Sequence, residues 1–202
     1  MMALRNSMDL KDGTISMAKK PSRKVDPGIS AKLDTAGIRP AHRGMTLPGL
    51  GASGKEARAY LESEDYPEDR KSGVGAVFYG TGTNHANILP VFAKELALSG
   101  DGVRLVTLSK LVWAVMDNTE AAEELLRAKA LCIVRFQMEV DERPFTAREC
   151  MMVEEFLISR YDNYLRNYLQ TCAKLSDLDW WSREFKSVSS PRLRDFHVGQ
   201  GK

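Results

Sequence analysis

The run Val74-Gly75-Ala76-Val77-Phe78-Tyr79-Gly80-Thr81-Gly82-Thr83-Asn84-His85 decides the fold. Residues 74–79 are short, apolar and rich in strand formers, which predicts a buried strand ending at Gly80. Past the turn, Leu89, Phe92, Ala93 and Leu96 recur at helical spacing, so residues 88–98 read as a helix stopped by Gly100 and Gly102. Strand, glycine turn and helix together open a βαβ unit.

The same rhythm continues outward. Residues 103–108 form a second strand candidate, with Ser109 as N-cap of a helix carrying Leu111, Val112, Val115 and Met116. Residues 120–129 read as a helix and 130–136 as a third strand. Thr146 and Glu149 make a capping box for a long helix whose apolar stripe is Cys150, Val153, Phe156, Leu157, Tyr161 and Leu165. Parallel strands need crossovers, so this alternation predicts an α/β domain with a parallel sheet flanked by helices. Upstream, 56–64 reads as a short helix and 64–72 as a charged loop. Before residue 46, Gly13, Pro21, Pro27, Gly28, Gly37 and Pro40 interrupt any period. Residues 1–45 are therefore expected to be a basic, flexible N-terminal arm, and 46–202 the domain.

A chain of 202 residues, 43% hydrophobic and 28% charged, fits one globular domain. No apolar run of the chain approaches the ~20 residues of a membrane-spanning helix, so no membrane partner is expected. Arg5, Asp9 and Lys11 interrupt the place of a signal peptide, which suits a cytoplasmic protein. Cys132, Cys150 and Cys172 are odd in number and lack metal-ligand spacing, so they read as reduced thiols with no bound metal. Residues 1–55 hold ten Lys or Arg against four Asp, whereas the remainder holds nineteen against twenty-three acids. That asymmetry suits an arm touching an acidic partner or nucleic acid through Lys19, Lys20, Arg23 and Lys24, although basic tails also serve solubility.

In an open parallel sheet the ligand site lies beyond the carboxyl ends of the strands, which directs attention to Gly80, Thr81, Gly82, Thr83, Asn84 and His85. A phosphate loop uses glycines to aim backbone N–H groups at phosphate oxygens, a Lys to reach the terminal phosphates and a hydroxyl to hold magnesium. Here the Lys is absent and Asn84 stands in the hydroxyl's place. Gly49, Gly54 and Lys55 satisfy the spacing of such a loop outright, but Pro48 precedes them where a buried strand belongs. They read as a chance match, with Lys55 as a conceivable donor of the missing charge.

These residues together resemble the bacterial replicative helicase loaders, the DnaC-like branch of the AAA+ ATPases that includes IstB-type transposition ATPases. The resemblance runs over about 37–195. Gly37-Ile38-Arg39-Pro40-Ala41-His42-Arg43 is similar to the family's lead-in, and Thr81, Gly82 and His85 match its loop. Leu131-Cys132-Ile133-Val134 resembles the Walker B strand, with Arg135 and Phe136 where two Asp are expected. The helix ending Arg160-Tyr161 and the segment Tyr168–Ala173, with Cys172 and Ala173 replacing Thr and Asn, resemble the strand and helix that follow. Ser190-Pro191-Arg192-Leu193 is similar to the family's Ser-Arg-Leu segment, which would make Arg192 an arginine that reaches a neighbouring subunit's nucleotide in a homo-oligomer.

The resemblance implies a P-loop NTPase core of AAA+ or RecA-like type without a complete lid. It also implies a role at DNA replication, in a phage or mobile element, with a replicative helicase or another AAA+ protein as partner. Magnesium–ATP is the cofactor of such a core, yet the Lys, the hydroxyl and both Asp are missing together. The leading expectation is a pseudo-ATPase adaptor, loader or inhibitor; the alternatives are an ATPase using Lys55 or a partner's residue, and a single-stranded DNA-binding module. For the last, Trp180, Trp181, Arg183 and Lys186 mix aromatics with cations as base-stacking sites do, although Trp181, Phe185 and Val188 also fall at core-packing spacing.

Overall fold

A computed structural model describes residues 26–82, 84–136, 139–140 and 143–199. The elements in chain order are α1 (Pro27–Thr35), α2 (Pro40–Arg43), α3 (Ala52–Leu61), α4 (Asp65–Lys71), β1 (Gly75–Tyr79), α5 (His85–Leu98), β2 (Val103–Thr107), α6 (Leu108–Asp117), α7 (Thr119–Arg127) and β3 (Ala130–Val134). A two-residue-per-strand hairpin, β4 (Glu139–Val140) and β5 (Arg143–Pro144), precedes α8 (Ala147–Asp162), β6 (Arg166–Thr171), α9 (Arg183–Ser189) and β7 (Leu193–His197). The main sheet has the order β2-β3-β6-β1-β7 with every pair parallel. The expected parallel α/β sheet flanked by helices is therefore present, with two strands, β6 and β7, beyond the three of the sequence rhythm; β6 falls on the segment that the resemblance gave as a strand.

The strands feed two cores by their period of two. Ala76 and Phe78 of β1, Ala130 and Cys132 of β3 and Tyr168 of β6 face one core. Val77, Leu131, Ile133 and Leu169 face the other. On the first side α5 is buried almost all round, from Ile88 to Ala97, the mark of a helix covered on both faces. Its outer cover is the segment expected to be a flexible arm. Leu33, Ala36, Ile38, Leu47 and Leu50 are buried with it, Leu105 N–H donates to the Ala36 carbonyl at 2.8 Å, and Lys94 Nζ donates to the Met45 carbonyl. Residues 27–45 thus belong to the domain, because α5 and the edge strand β2 would otherwise expose apolar surface. Gly37 makes this approach possible: its φ is +78°, and a Cβ there would lie 2.7 Å from the Leu105 carbonyl oxygen. The rest of the proposed arm, including Lys19, Lys20, Arg23 and Lys24, lies outside the described residues.

Three further corrections are local. The charged stretch 64–72 holds α4, fixed where Asp69 accepts two hydrogen bonds from Arg194 of β7 at 2.9 Å each and one from the Tyr60 hydroxyl at 3.0 Å. The N-cap of α6 is Thr107, whose side chain accepts from Lys110 N–H at 3.2 Å, so β2 runs into the helix without a loop and Ser109 lies inside it. The third strand ends at Val134 instead of 136 because Arg135 takes a φ of 55° and leaves the ladder. The Thr146–Glu149 capping box forms as expected. No described helix is long and apolar enough to cross a membrane.

Candidate functional site at the carboxyl edge of the sheet

The parallel register brings the ends of β1, β3 and β6 to one edge, with Gly80 to Gly82 leaving β1 and the first turn of α5 beginning at His85. Two of the loop's N–H groups already have partners. Gly80 N–H donates to the Thr171 carbonyl at 3.2 Å and Gly82 N–H to the Val198 carbonyl at 3.3 Å. The segment after β7 closes over them: Val198 N–H donates to the Tyr79 carbonyl at 2.7 Å, and a Cβ on Gly82 would lie 2.1 Å from the Gly199 carbonyl oxygen. Asn84, in the place of the magnesium-holding hydroxyl, turns its amide to donate to the Leu50 carbonyl at 2.9 Å. Thr83, the residue in the place of the Lys, lies outside the described residues.

The Walker B-like end of β3 carries no carboxylate at Val134, Arg135 or Phe136. Phe136 is fully buried and stacks on Trp181 at 4.6 Å with an angle of 12°. Arg135 is exposed, and Gln170 pins its backbone. The Gln170 side-chain oxygen accepts from Arg135 N–H at 3.3 Å, its carbonyl accepts from Phe136 N–H at 2.8 Å, and its amide donates to the His85 carbonyl. Gln170 thereby ties the end of β3 to the start of α5, a role the sequence reading did not assign. Its period-two position beside Tyr168 at the carboxyl end of β6 was the available signal.

Two cavities of about 430 Å³ flank this edge. One, beside the loop, is lined by Gly80, Gly82, Lys174, Asp177 and His197 among others. Lys174, also missed in the sequence, holds its ammonium 5.6 Å from the Tyr79 ring and lines the cavity beside the loop. The second cavity lies between the start of α5 and the ends of β2 and β3. His85 lines it and is pushed below the ordinary imidazole value, mainly by burial, with the Thr171 and Phe78 carbonyls opposing; it is neutral at pH 7. Among the described residues no cluster of His, Cys, Asp and Glu could hold a metal.

The remaining candidates divide. Trp181 is 3% exposed, sandwiched between Phe136 and Phe185, so it packs the core and is not free to stack a base. Trp180 is half-buried, Arg183 is exposed, and Lys186 donates to the Ser176 carbonyl at 3.3 Å. Arg192 sits at the amino edge of the sheet, since Leu193 pairs with Gly75. There its guanidinium donates to the Tyr161 carbonyl and lies 5.9 Å from that ring. The Gly49–Lys55 match falls on a short 3₁₀ turn and the first turn of α3; Gly54 is there for packing, since a Cβ would lie 1.9 Å from the Leu47 carbonyl oxygen.

No family model matches the chain, and no curated protein sequence matches it. Solved structures do. A protein described as a primosome component from Streptococcus pyogenes serotype M3 superposes with a TM-score of 0.62 at 17% identity over 86% of this chain and 96% of that one. DnaI superposes with a TM-score of 0.60 at 11% identity, over 80% of this chain and 92% of that one. The replication initiator DnaA, solved with AMPPCP and single-stranded DNA, gives 0.60 at 14% identity over 80% of this chain; the chain spans about half of it (51%). The sheet and its flanking helices thus share their fold with these solved structures, in agreement at the level of the fold with the parallel α/β domain expected from the sequence.

Proposed function

We propose that this protein is a replication-related adaptor that keeps the AAA+ shell as a binding surface for a replicative helicase or another AAA+ subunit and does not hydrolyse ATP. The observation that carries the reading is the end of β3. Metal-assisted phosphoryl transfer needs a carboxylate there to hold magnesium, and the chain offers Arg135, a buried Phe136 and a backbone fixed by Gln170. The loop supports it further, with Gly80 and Gly82 N–H groups spent on the chain's own carbonyls.

The test is magnesium-dependent ATP turnover by the purified protein, alone and with DNA and a hexameric helicase, beside a helicase pull-down. The expected outcome is helicase capture with turnover at the background rate. Turnover lost in Lys174→Ala or Lys55→Ala would instead establish the second reading, an ATPase with a substitute lysine, which the position of Lys174 beside the loop favours. A deletion probing the basic arm stops at residue 25, because removing 27–43 would strip Leu33, Ala36 and Ile38 from the core.

A further inference from the structure

The two edges of the sheet differ. At β2 the Leu105 N–H is taken by the Ala36 carbonyl at 2.8 Å. At β7 Arg194, Asp195 and His197 are exposed, whereas β1, β3 and β6 are buried almost throughout. Val198 N–H donates to the Tyr79 carbonyl, so the alternation of a parallel strand turns the backbone of residues 194 and 196 toward β1 and that of 193, 195 and 197 outward. Among the described residues this outward row has one partner, the Ser53 hydroxyl, which donates to the His197 carbonyl at 3.2 Å. The Asp195 N–H and carbonyl and the His197 N–H are open.

A second observation lies beside that row. On the sheet face that carries α9 there is a cavity of about 360 Å³, with Val77 and Leu193 as its apolar part and Lys174, Arg183, Lys186 and Asp195 around it. Among the described residues none of these three cations is in an ion pair. Strand edges are usually blunted by charge, but Arg194 is drawn to Asp69 on the other face of the sheet, and the His197 ring lies 5.2 Å from that of Tyr79. Asp195 remains, and it selects the occupant. A second copy pairing antiparallel along the whole row would centre on residue 195 and set Asp195 opposite Asp195, which repels. A nucleic-acid backbone offers acceptors where the row needs donors as well. An extended polypeptide offers both, and its carboxylates complement the three cations.

We propose that the open edge of β7 binds an extended acidic segment of a partner protein by strand addition. The segment's backbone pairs with Asp195 and His197, one of its side chains enters the cavity over Val77 and Leu193, and its carboxylates meet Lys174, Arg183 and Lys186. The proposal rests on the adaptor reading only in requiring a protein partner, and it does not require that partner to be a helicase.

Fluorescence anisotropy of a labelled peptide alternating valine with glutamate, titrated with the full chain, tests it. Saturable micromolar binding that weakens with added salt is expected, at least tenfold weaker for the peptide with lysine in place of glutamate and absent for the peptide N-methylated throughout. Asp195→Pro should abolish binding, because proline removes an outward N–H and leaves the ladder to β1 intact. Asp195→Asn keeps that N–H and should bind at least as tightly as the parent. Arg183→Gln combined with Lys186→Gln should weaken binding at least tenfold, and amide exchange at 193–197 should slow when the peptide is added. The N-methylated peptide keeps the pairing testable should Asp195→Pro fail to fold. No binding, equal affinity for the lysine peptide, unchanged binding in a folded Asp195→Pro, or protection of 193–197 by oligothymidylate or by self-association instead of the peptide would each overturn the proposal. Failure of the parent chain to capture a helicase would refute the adaptor reading alone, since the peptide titration uses no helicase.

Discussion

Replacing Arg160 by Met should cost this protein about 4 kcal/mol of stability. Arg160 is fully buried near the end of α8 and makes five hydrogen bonds. Its Nη1 donates to the carbonyls of Leu125 at 2.6 Å and Leu126 at 3.1 Å, and its Nη2 to those of Ala128 at 2.9 Å and Arg166 at 3.0 Å, while Nε donates to Asn167 Oδ1 at 2.7 Å. The guanidinium therefore closes the carboxyl end of α7 and joins it to α8 and β6, as a cation does best at the negative end of a helix. Burial lowers its pKa to about 10, so it stays charged at neutral pH. With Met, the Leu125 carbonyl keeps the Ala128 N–H at 3.3 Å and that of Leu126 reaches water. The Ala128 carbonyl and the Asn167 side-chain oxygen lose their partner inside the core. At roughly 1–3 kcal/mol for each buried group left unpaired, two such losses give about 2–6 kcal/mol, and release of the buried charge offsets part of it. Urea unfolding followed by circular dichroism should show a lower midpoint with an unchanged slope, and a melting temperature lower by on the order of 10 °C for a chain of this size. Arg160→Lys should fall between the two, since three donors cannot serve five acceptors. A Met variant within 1 kcal/mol of the parent would refute the reasoning.

Gly54→Ala should destabilise the domain by about 2 kcal/mol or more, because the added Cβ meets the Leu47 carbonyl in a packed turn, whereas Lys55→Ala on the exposed side should change stability by less than about 0.5 kcal/mol; equal effects in thermal melts would contradict the packing role. The folded chain holds His85 below its ordinary pKa, so the unfolded chain takes up its proton first; stability is full above pH 6.5 and falls as pH drops through the folded value. Denaturant midpoints from pH 7.5 to 5 should show that slope reduced in His85→Asn. Iodoacetamide should label exposed Cys172 quickly and leave Cys132, fully buried with its thiol pushed well up by desolvation, unlabelled until the chain unfolds; mass spectrometry of the native protein reads both.

Much of the domain was legible because its signals are local. The run at 74–79, the stripe through Leu89, Phe92 and Leu96, and the Thr146–Glu149 box each name their element within a few residues, and each forms. What escaped was long-range. β7 is an amphipathic strand with Arg194, Asp195 and His197 exposed, and only pairing with β1 makes it a strand. α1 and α4 carry one buried residue each, too few for a period, and are fixed by α5 and by Arg194. At the site, Asn84, Arg135 and Phe136 could be placed by position after their strands, while Gln170 and Lys174 are brought beside them only by the pairing of β6 with β1 and β3.

The sequence by itself determined the alternation of strands and helices, and with it the parallel sheet, because hydrophobic periods and caps act over one or two turns of chain. It also carried the resemblance by which Thr83, Asn84, Arg135 and Phe136 stand where the helicase loaders have their lysine, hydroxyl and two carboxylates, because that comparison is a matter of which side chain stands after which strand. Only the tertiary structure decided that Leu33, Ala36 and Ile38 join the core, that Val198 and Gly199 lie against the loop after β1, and that Trp181 packs the interior. Burial and hydrogen-bond partnership are properties of a position in space, set by segments that fold against it from more than a hundred residues away.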